Sequence, residues 1–101
     1  MSDESIPVLV VFRRWTNGDI IALFPQLPAD YQGWYCDSYE HTGQHGGADF
    51  HGVVRATKPV ALEEAADLIH ELERIGYRLM PIKRASHRVH DARRATARSL
   101  K

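Results

Sequence analysis

Apolar residues fall along the first half of the chain in short runs broken by turn-forming residues. Pro7 to Trp15 reads Pro-Val-Leu-Val-Val-Phe-Arg-Arg-Trp, a β-branched and aromatic run without clean alternation. This predicts a central strand covered on much of both faces. Thr16-Asn17-Gly18-Asp19 follows, and Asn-Gly between apolar runs predicts a hairpin of type I′, with Asp19 to Phe24 as the return strand. Pro25 and Pro28 lack backbone donors, so a polar connection to about Gln32 is expected. A third strand is predicted from Trp34 to Glu40, with Trp34, Cys36 and Ser38 on one face and Tyr35, Asp37, Tyr39 and His41 on the other. Cys36 is placed inward. Gly43, Gly46 and Gly47 argue for a loop, and Phe50 to Thr57 reads as a short fourth strand weakened by Gly52.

The period changes in the second half. Leu62, Ala65, Ala66, Ile69, Leu72 and Ile75 form a helical stripe, with Glu63, Glu64, Asp67, Glu71 and Arg74 mostly outside it. Acidic residues near the start and Arg74 near the end suit the helix dipole, and Gly76 supplies the stop. Tyr77 to Lys83 is predicted as a last strand, at a sheet edge or bulged because of Pro81. Beyond it Ala85, Val89, Ala92, Thr96 and Leu100 make a thin stripe among arginines, a helix that forms on contact with something. The fold class is therefore α+β, an antiparallel sheet of four or five strands with one amphipathic helix packed on it. Residues 1–84 are read as a single domain and 85–101 as a basic C-terminal tail.

Composition fits this. The 101 residues are 44% hydrophobic and 26% charged, enough for one core. The acidic start and the lack of any apolar run of about eighteen residues predict a cytoplasmic protein with no membrane partner. One cysteine excludes an intramolecular disulfide. The zero formal charge conceals a division: residues 1–73 carry four basic against twelve acidic residues, −8, and residues 74–101 carry nine basic against one acidic, +8. Such asymmetry points to nucleic acid or to an acidic or basic protein surface as partner, and the two halves could also pair between copies in a homo-oligomer.

Candidate chemistry gathers at Tyr35–Gly52, which holds the single cysteine and three of the six histidines. Cys36, His41, His45, Asp49 and His51 are candidate metal ligands by type, but their spacing matches no zinc pattern, and ordinary hydrogen bonding within an ordered glycine loop explains them as well. Cys36 with His41 or His45 as base would make a nucleophile only if the side chains met; a buried, inert cysteine is the simpler reading. No cofactor motif is present, and Gly43-Gln44-His45-Gly46-Gly47 lacks the ending of a phosphate loop. Lys83, Arg84, Arg88, Arg93, Arg94 and Arg98 could contact phosphates without reading bases. Trp34, Tyr35, Tyr39 and Phe50, with His41 and His45 beside them, are candidates for a protein interface, against core packing for Trp34 and Phe50.

The segments Val10–Arg13, Gly18–Pro25, Cys36–Asp49 and Glu71–Tyr77 together resemble a family of small uncharacterised bacterial proteins, often encoded on plasmids, integrative elements and phages. The Cys-x-Ser-Tyr-x-His-x-Gly-Gln-His-Gly block from Cys36 to Gly46 carries most of the likeness, which spans roughly residues 8–84. It implies an accessory role on mobile DNA, either nucleic-acid handling or inhibition of a host defence complex, and brings no catalytic residues. The expected function is a non-enzymatic accessory protein that binds a macromolecular partner, nucleic acid through the basic segment being the first choice. A host-protein inhibitor or adaptor, and a metal or cysteine enzyme using residues 36–51, are the alternatives.

Overall fold

Two adjacent strands supply the centre because their apolar residues occur on both parities. In β1 (Val8–Arg14), Val10 and Phe12 face one side of the sheet and Val11 the other; in β2 (Ile20–Pro28), Ala22 and Phe24 oppose Ile21 and Leu23. All seven are buried, so each strand needs cover on both sides. The computed structural model describes residues 6–40 and 44–99. It is an α+β fold built on one mixed sheet.

The hairpin between β1 and β2 differs from the expected two-residue type. Gly18 N–H donates to Trp15 O at 2.9 Å and Trp15 N–H to Asp19 O at 2.8 Å, so Thr16, Asn17 and Gly18 form a three-residue loop. Gly18 takes φ 98° after the turn, as such loops require. Asn17 Oδ1 accepts from Asp19 N–H at 2.9 Å, which holds the corner.

β3 (Cys36–Glu40) pairs antiparallel with β2, and β4 (Gln44–Ala48) with β3. The glycine-rich stretch is thus a strand where a loop was expected. Ser38 Oγ donates to Gly46 O at 2.8 Å, and ladder pairing with β3 offsets the entropy that glycine loses. A Cβ on Gly47 would lie 3.2 Å from Ala29 Cβ, so a close approach explains that glycine. β5 (Lys58–Pro59) pairs antiparallel with the end of β1, and β6 (Leu79–Pro81) pairs parallel with its beginning. The parallel pair exists because a helical crossover separates β5 from β6. Pro81 lies in this short edge strand, as its missing donor predicted.

The expected strand at Phe50–Thr57 is instead α1 (Phe50–Ala56). Phe50, Val53 and Val54 recur at helical spacing and pack into the cluster of Val11, Ile21, Leu23 and Cys36. Arg13 closes the end of α1, with its Nη2 donating to Val54 O at 2.9 Å and Thr57 O at 2.8 Å. A 3₁₀ turn (Leu62–Ala65) leads into α2 (Ala66–Ile75), which covers the other face with Ala65, Leu68 and Leu72 against Val10, Phe12, Ala22, Phe24 and Tyr39. Gly76, at φ 124°, donates to Leu72 O and Glu73 O and ends that helix.

The C-terminal segment forms α3 (His87–Ser99), docked on β2 on the same side as α1. Its buried stripe is His90, Arg93 and Ala97, in place of the expected Val89, Ala92 and Thr96; Leu100 lies outside the described residues. Among the described residues no helix is long and apolar enough to cross a membrane. Leu72 is fully enclosed between α2 and the sheet. Leu72→Ala is expected to lower unfolding free energy by about 2–5 kcal/mol in urea titration; a change below about 0.5 kcal/mol, the range of ordinary surface substitutions, would be inconsistent with this core.

Candidate functional site

Sheet parity separates the candidate ligands. Cys36 and Ser38 point to the α1 side, and Asp37 and Tyr39 to the α2 side. Tyr39 is paired with His45, whose ring lies edge-on to it at 4.6 Å. His45 and Cys36 therefore occupy opposite faces and cannot act as base and nucleophile. His51 stands on α1 against Phe50 and His90. Asp49 is exposed before α1, and His41 lies outside the described residues. Among the described residues no three His, Cys, Asp or Glu side chains gather around a common point.

Cys36 is fully buried, and burial pushes its thiol up to about 11. The thiol is neutral at physiological pH and has no nucleophilic form to offer. Tyr39, expected at an interface, is a core residue whose Oη donates to Glu71 on α2. Of the other interface candidates, Tyr35 is half exposed and His45 exposed, both at the β4 edge. Asp37 lies nearby, its carboxyl raised above the usual range by burial, with His45 opposing the shift. Burial and Asp37 likewise raise Tyr77, which stacks on Phe24 at 5.0 Å. An open groove of about 390 Å³ on the α1 side is lined by Trp15, Ser38, Glu40, Gly46, Asp49 and Val53 among others. Among the described residues its ionisable lining is Glu40, His45 and Asp49, with no lysine or arginine, and Cys36 is not part of it.

The basic segment divides in a way its sequence conceals. Arg93 is 3% exposed and points into the fold. Its Nε donates to Gly33 O at 2.8 Å, and its Nη1 to Pro25 O at 2.9 Å and to His90 Nδ1 at 2.8 Å. Nη2 reaches Trp34 O at 3.4 Å. Arginine only donates, so His90 Nδ1 is the acceptor and its proton sits on Nε2. Burial and the neighbouring Arg93 hold His90 down at about 4, which keeps it neutral. Its Nε2 has no hydrogen-bond partner among the described residues. Arg93 is thus withdrawn from the set of phosphate-binding candidates.

This buried guanidinium fastens α3 to the connection between β2 and β3. Gly33 takes φ 77° and passes so close to the helix that a Cβ there would lie 2.7 Å from Arg94 Cα. The next residue, Trp34, is 56% exposed, and the Arg94 guanidinium sits over its ring at 4.5 Å. Arg94 also pairs with Asp91 at 2.6 Å. Lys83, Arg84, Arg88 and Arg98 are exposed, and among the described residues none has an acidic partner within ion-pair distance. Neither the fold of Arg93 inward nor the Arg94–Trp34 contact was visible in the sequence. Helical spacing of His90, Arg93 and Ala97 was the one available signal, and it required counting an arginine as a core residue.

Arg93→Ala should cost roughly 2–4 kcal/mol in urea titration, because several carbonyls lose a charged donor. Arg93→Lys should also be less stable than the native chain, since an ammonium cannot reproduce the planar fork; native-like stability in both variants would contradict this anchoring role. The Cys36 thiol is expected to resist a thiol reagent at pH 8 in the folded protein and to react fully in denaturant, with fast native labelling showing that it is accessible after all. No protein-family model, curated protein or solved structure matches the chain.

Proposed function

We propose that this chain is a non-enzymatic accessory protein that binds nucleic acid through the outer surface of α3 and the Lys83–Arg84 segment before it. The observation that carries this reading is the sorting of arginines on α3. One is spent on anchoring, while Arg88 and Arg98, with Lys83 and Arg84, remain exposed and without acidic partners among the described residues. A docked helix presents these charges at fixed positions, so less ordering entropy opposes binding than for a free tail. Phosphates are the matching chemistry, and binding of this kind is largely independent of sequence.

A second reading rests on the opposite layer. Glu63, Asp67 and Glu73 are exposed around α2, on the far side of the sheet from α3. This acidic surface suits a basic protein and would make the chain an inhibitor or adaptor.

Affinity for mixed-sequence DNA or RNA, measured by fluorescence anisotropy, should fall steeply between 50 and 200 mM salt, a loss on the order of tenfold or more if several phosphates are neutralised. Arg88→Glu combined with Arg98→Glu should weaken binding to all sequences and reduce the slope of log affinity against log salt by about 2. Point substitutions are preferable to removing α3, which would uncover buried sheet. Absence of binding even at low salt would rule out this reading; a stoichiometric protein captured from nuclease-treated lysate would then support the acidic-surface alternative.

A further inference from the structure

We infer that the nucleic acid is single-stranded, and that Trp34 is the platform on which one of its bases stacks. This inference rests on the nucleic-acid reading above. The connection from β2 to β3 places large aromatic residues in solvent: Tyr31 is 82% exposed and Trp34 56%. Two large aromatics left open close together on one short segment forgo a few kcal/mol of burial and make an apolar surface patch.

The segment is held in place. Arg93 binds the carbonyls of Pro25, Gly33 and Trp34, so the indole is attached to backbone that the guanidinium fixes from inside. Asp30 Oδ1 accepts from Tyr35 N–H at 3.1 Å, and Gly33 N–H closes a turn on Asp30 O at 3.2 Å. Tyr31 occupies the corner of that turn. The platform is therefore formed before a ligand arrives, which lowers the entropic cost of stacking.

Charge surrounds the platform in the order that a strand requires. Arg94 lies over the indole ring and leaves over half of the residue open. Arg98 follows one helical turn later on the same flank of α3, because residues four apart share a face. Asp91 offsets part of Arg94's charge, so Arg94 chiefly orients the indole while Arg98 is the available phosphate contact. An indole beside a guanidinium stacks any base, and nearby cations meet the backbone phosphates; this is the pairing used by sequence-tolerant single-strand binders. A duplex could supply the phosphates, but its bases are already stacked on one another and show no free face to Trp34. Tyr35 points to the opposite side of the sheet, against Gly47, and takes no part.

The test compares three fluorescent probes of equal length by anisotropy at low salt: an oligothymidylate, the same backbone without bases, and a mixed-sequence duplex. The native chain should bind the oligothymidylate roughly tenfold or more tighter than the abasic strand. Trp34→Ala should bring its affinity for the oligothymidylate down to that for the abasic strand, and Trp34→Phe should recover most of the difference. Because the Trp34 side chain is largely exposed and its carbonyl, not its ring, meets Arg93, Trp34→Ala should fold; urea titration of the variant checks this. Equal native affinity for the oligothymidylate and abasic strands, or a preference unaffected in folded Trp34→Ala, overturns the stacking platform while leaving the electrostatic reading standing. A duplex bound as tightly as the oligothymidylate likewise overturns the single-strand assignment. No binding of any probe overturns both.

Discussion

A charged guanidinium with almost no exposure to water organises this fold. Arg93 has no carboxylate within ion-pair distance among the described residues; its charge is met by the carbonyl dipoles of Pro25 and Gly33, a longer contact to Trp34, and the lone pair of His90 Nδ1. Desolvating such a group is costly, and only near-complete hydrogen bonding offsets it. That requirement dictates local structure. Gly33 must carry no side chain so that α3 can approach, His90 must stay neutral to accept, and the polar connection after Pro28 must turn its carbonyls inward. The same bonds that satisfy Arg93 hold Trp34 at the surface beside Arg94.

The helix that Arg93 fastens also determines how charge is distributed in space. Along the chain the acidic and basic residues are merely early and late. Once α2 packs on one face of the sheet and α3 on the other, Glu63, Asp67 and Glu73 lie on one side and Arg88 and Arg98 on the other, while Arg74 on α2 and the Glu40 and Asp49 lining of the α1-side groove run against that division. Exposed arginines held at fixed positions on α3 attract an anionic partner to that helix. Local compensations blunt charge at defined points: Arg14 bonds Glu64 at 3.0 Å, and Arg94 bonds Asp91. Arg88 and Arg98 on α3, and Lys83 and Arg84 before it, have no such compensation among the described residues.

Much of the scaffold was legible because its signals are local. The dense apolar run of β1, the return strand β2, the alternation of β3 and the stripe of α2 each reflect a period that one segment carries by itself. The failures were also physical. Gly46 and Gly47 oppose a strand by propensity, yet ladder pairing with β3 overrides it. Phe50, Val53 and Val54 have helical spacing, but Phe50 to Thr57 read as a short strand, weakened by Gly52. Asn17-Gly18 marked the hairpin correctly but not its length, since Gly18 takes its positive φ at the end of a three-residue loop. For the site, Cys36 was placed inward as found, whereas Tyr39 was assigned to a surface although the facing α2 covers it.

By itself the sequence determined the α+β class, the central strands, the amphipathic helix and the −8/+8 partition of charge, because these depend on residue type and short spacing. Tertiary structure alone decided which arginine is buried, which tyrosine is core, and that Trp34 meets Arg94. Those outcomes depend on partners about thirty to sixty residues apart in the chain, and a side chain's solvent exposure or hydrogen bonding is a property of what packs against it. A guanidinium reads the same in every sequence. Only the surrounding carbonyls made Arg93 an anchor and left its neighbours on the surface.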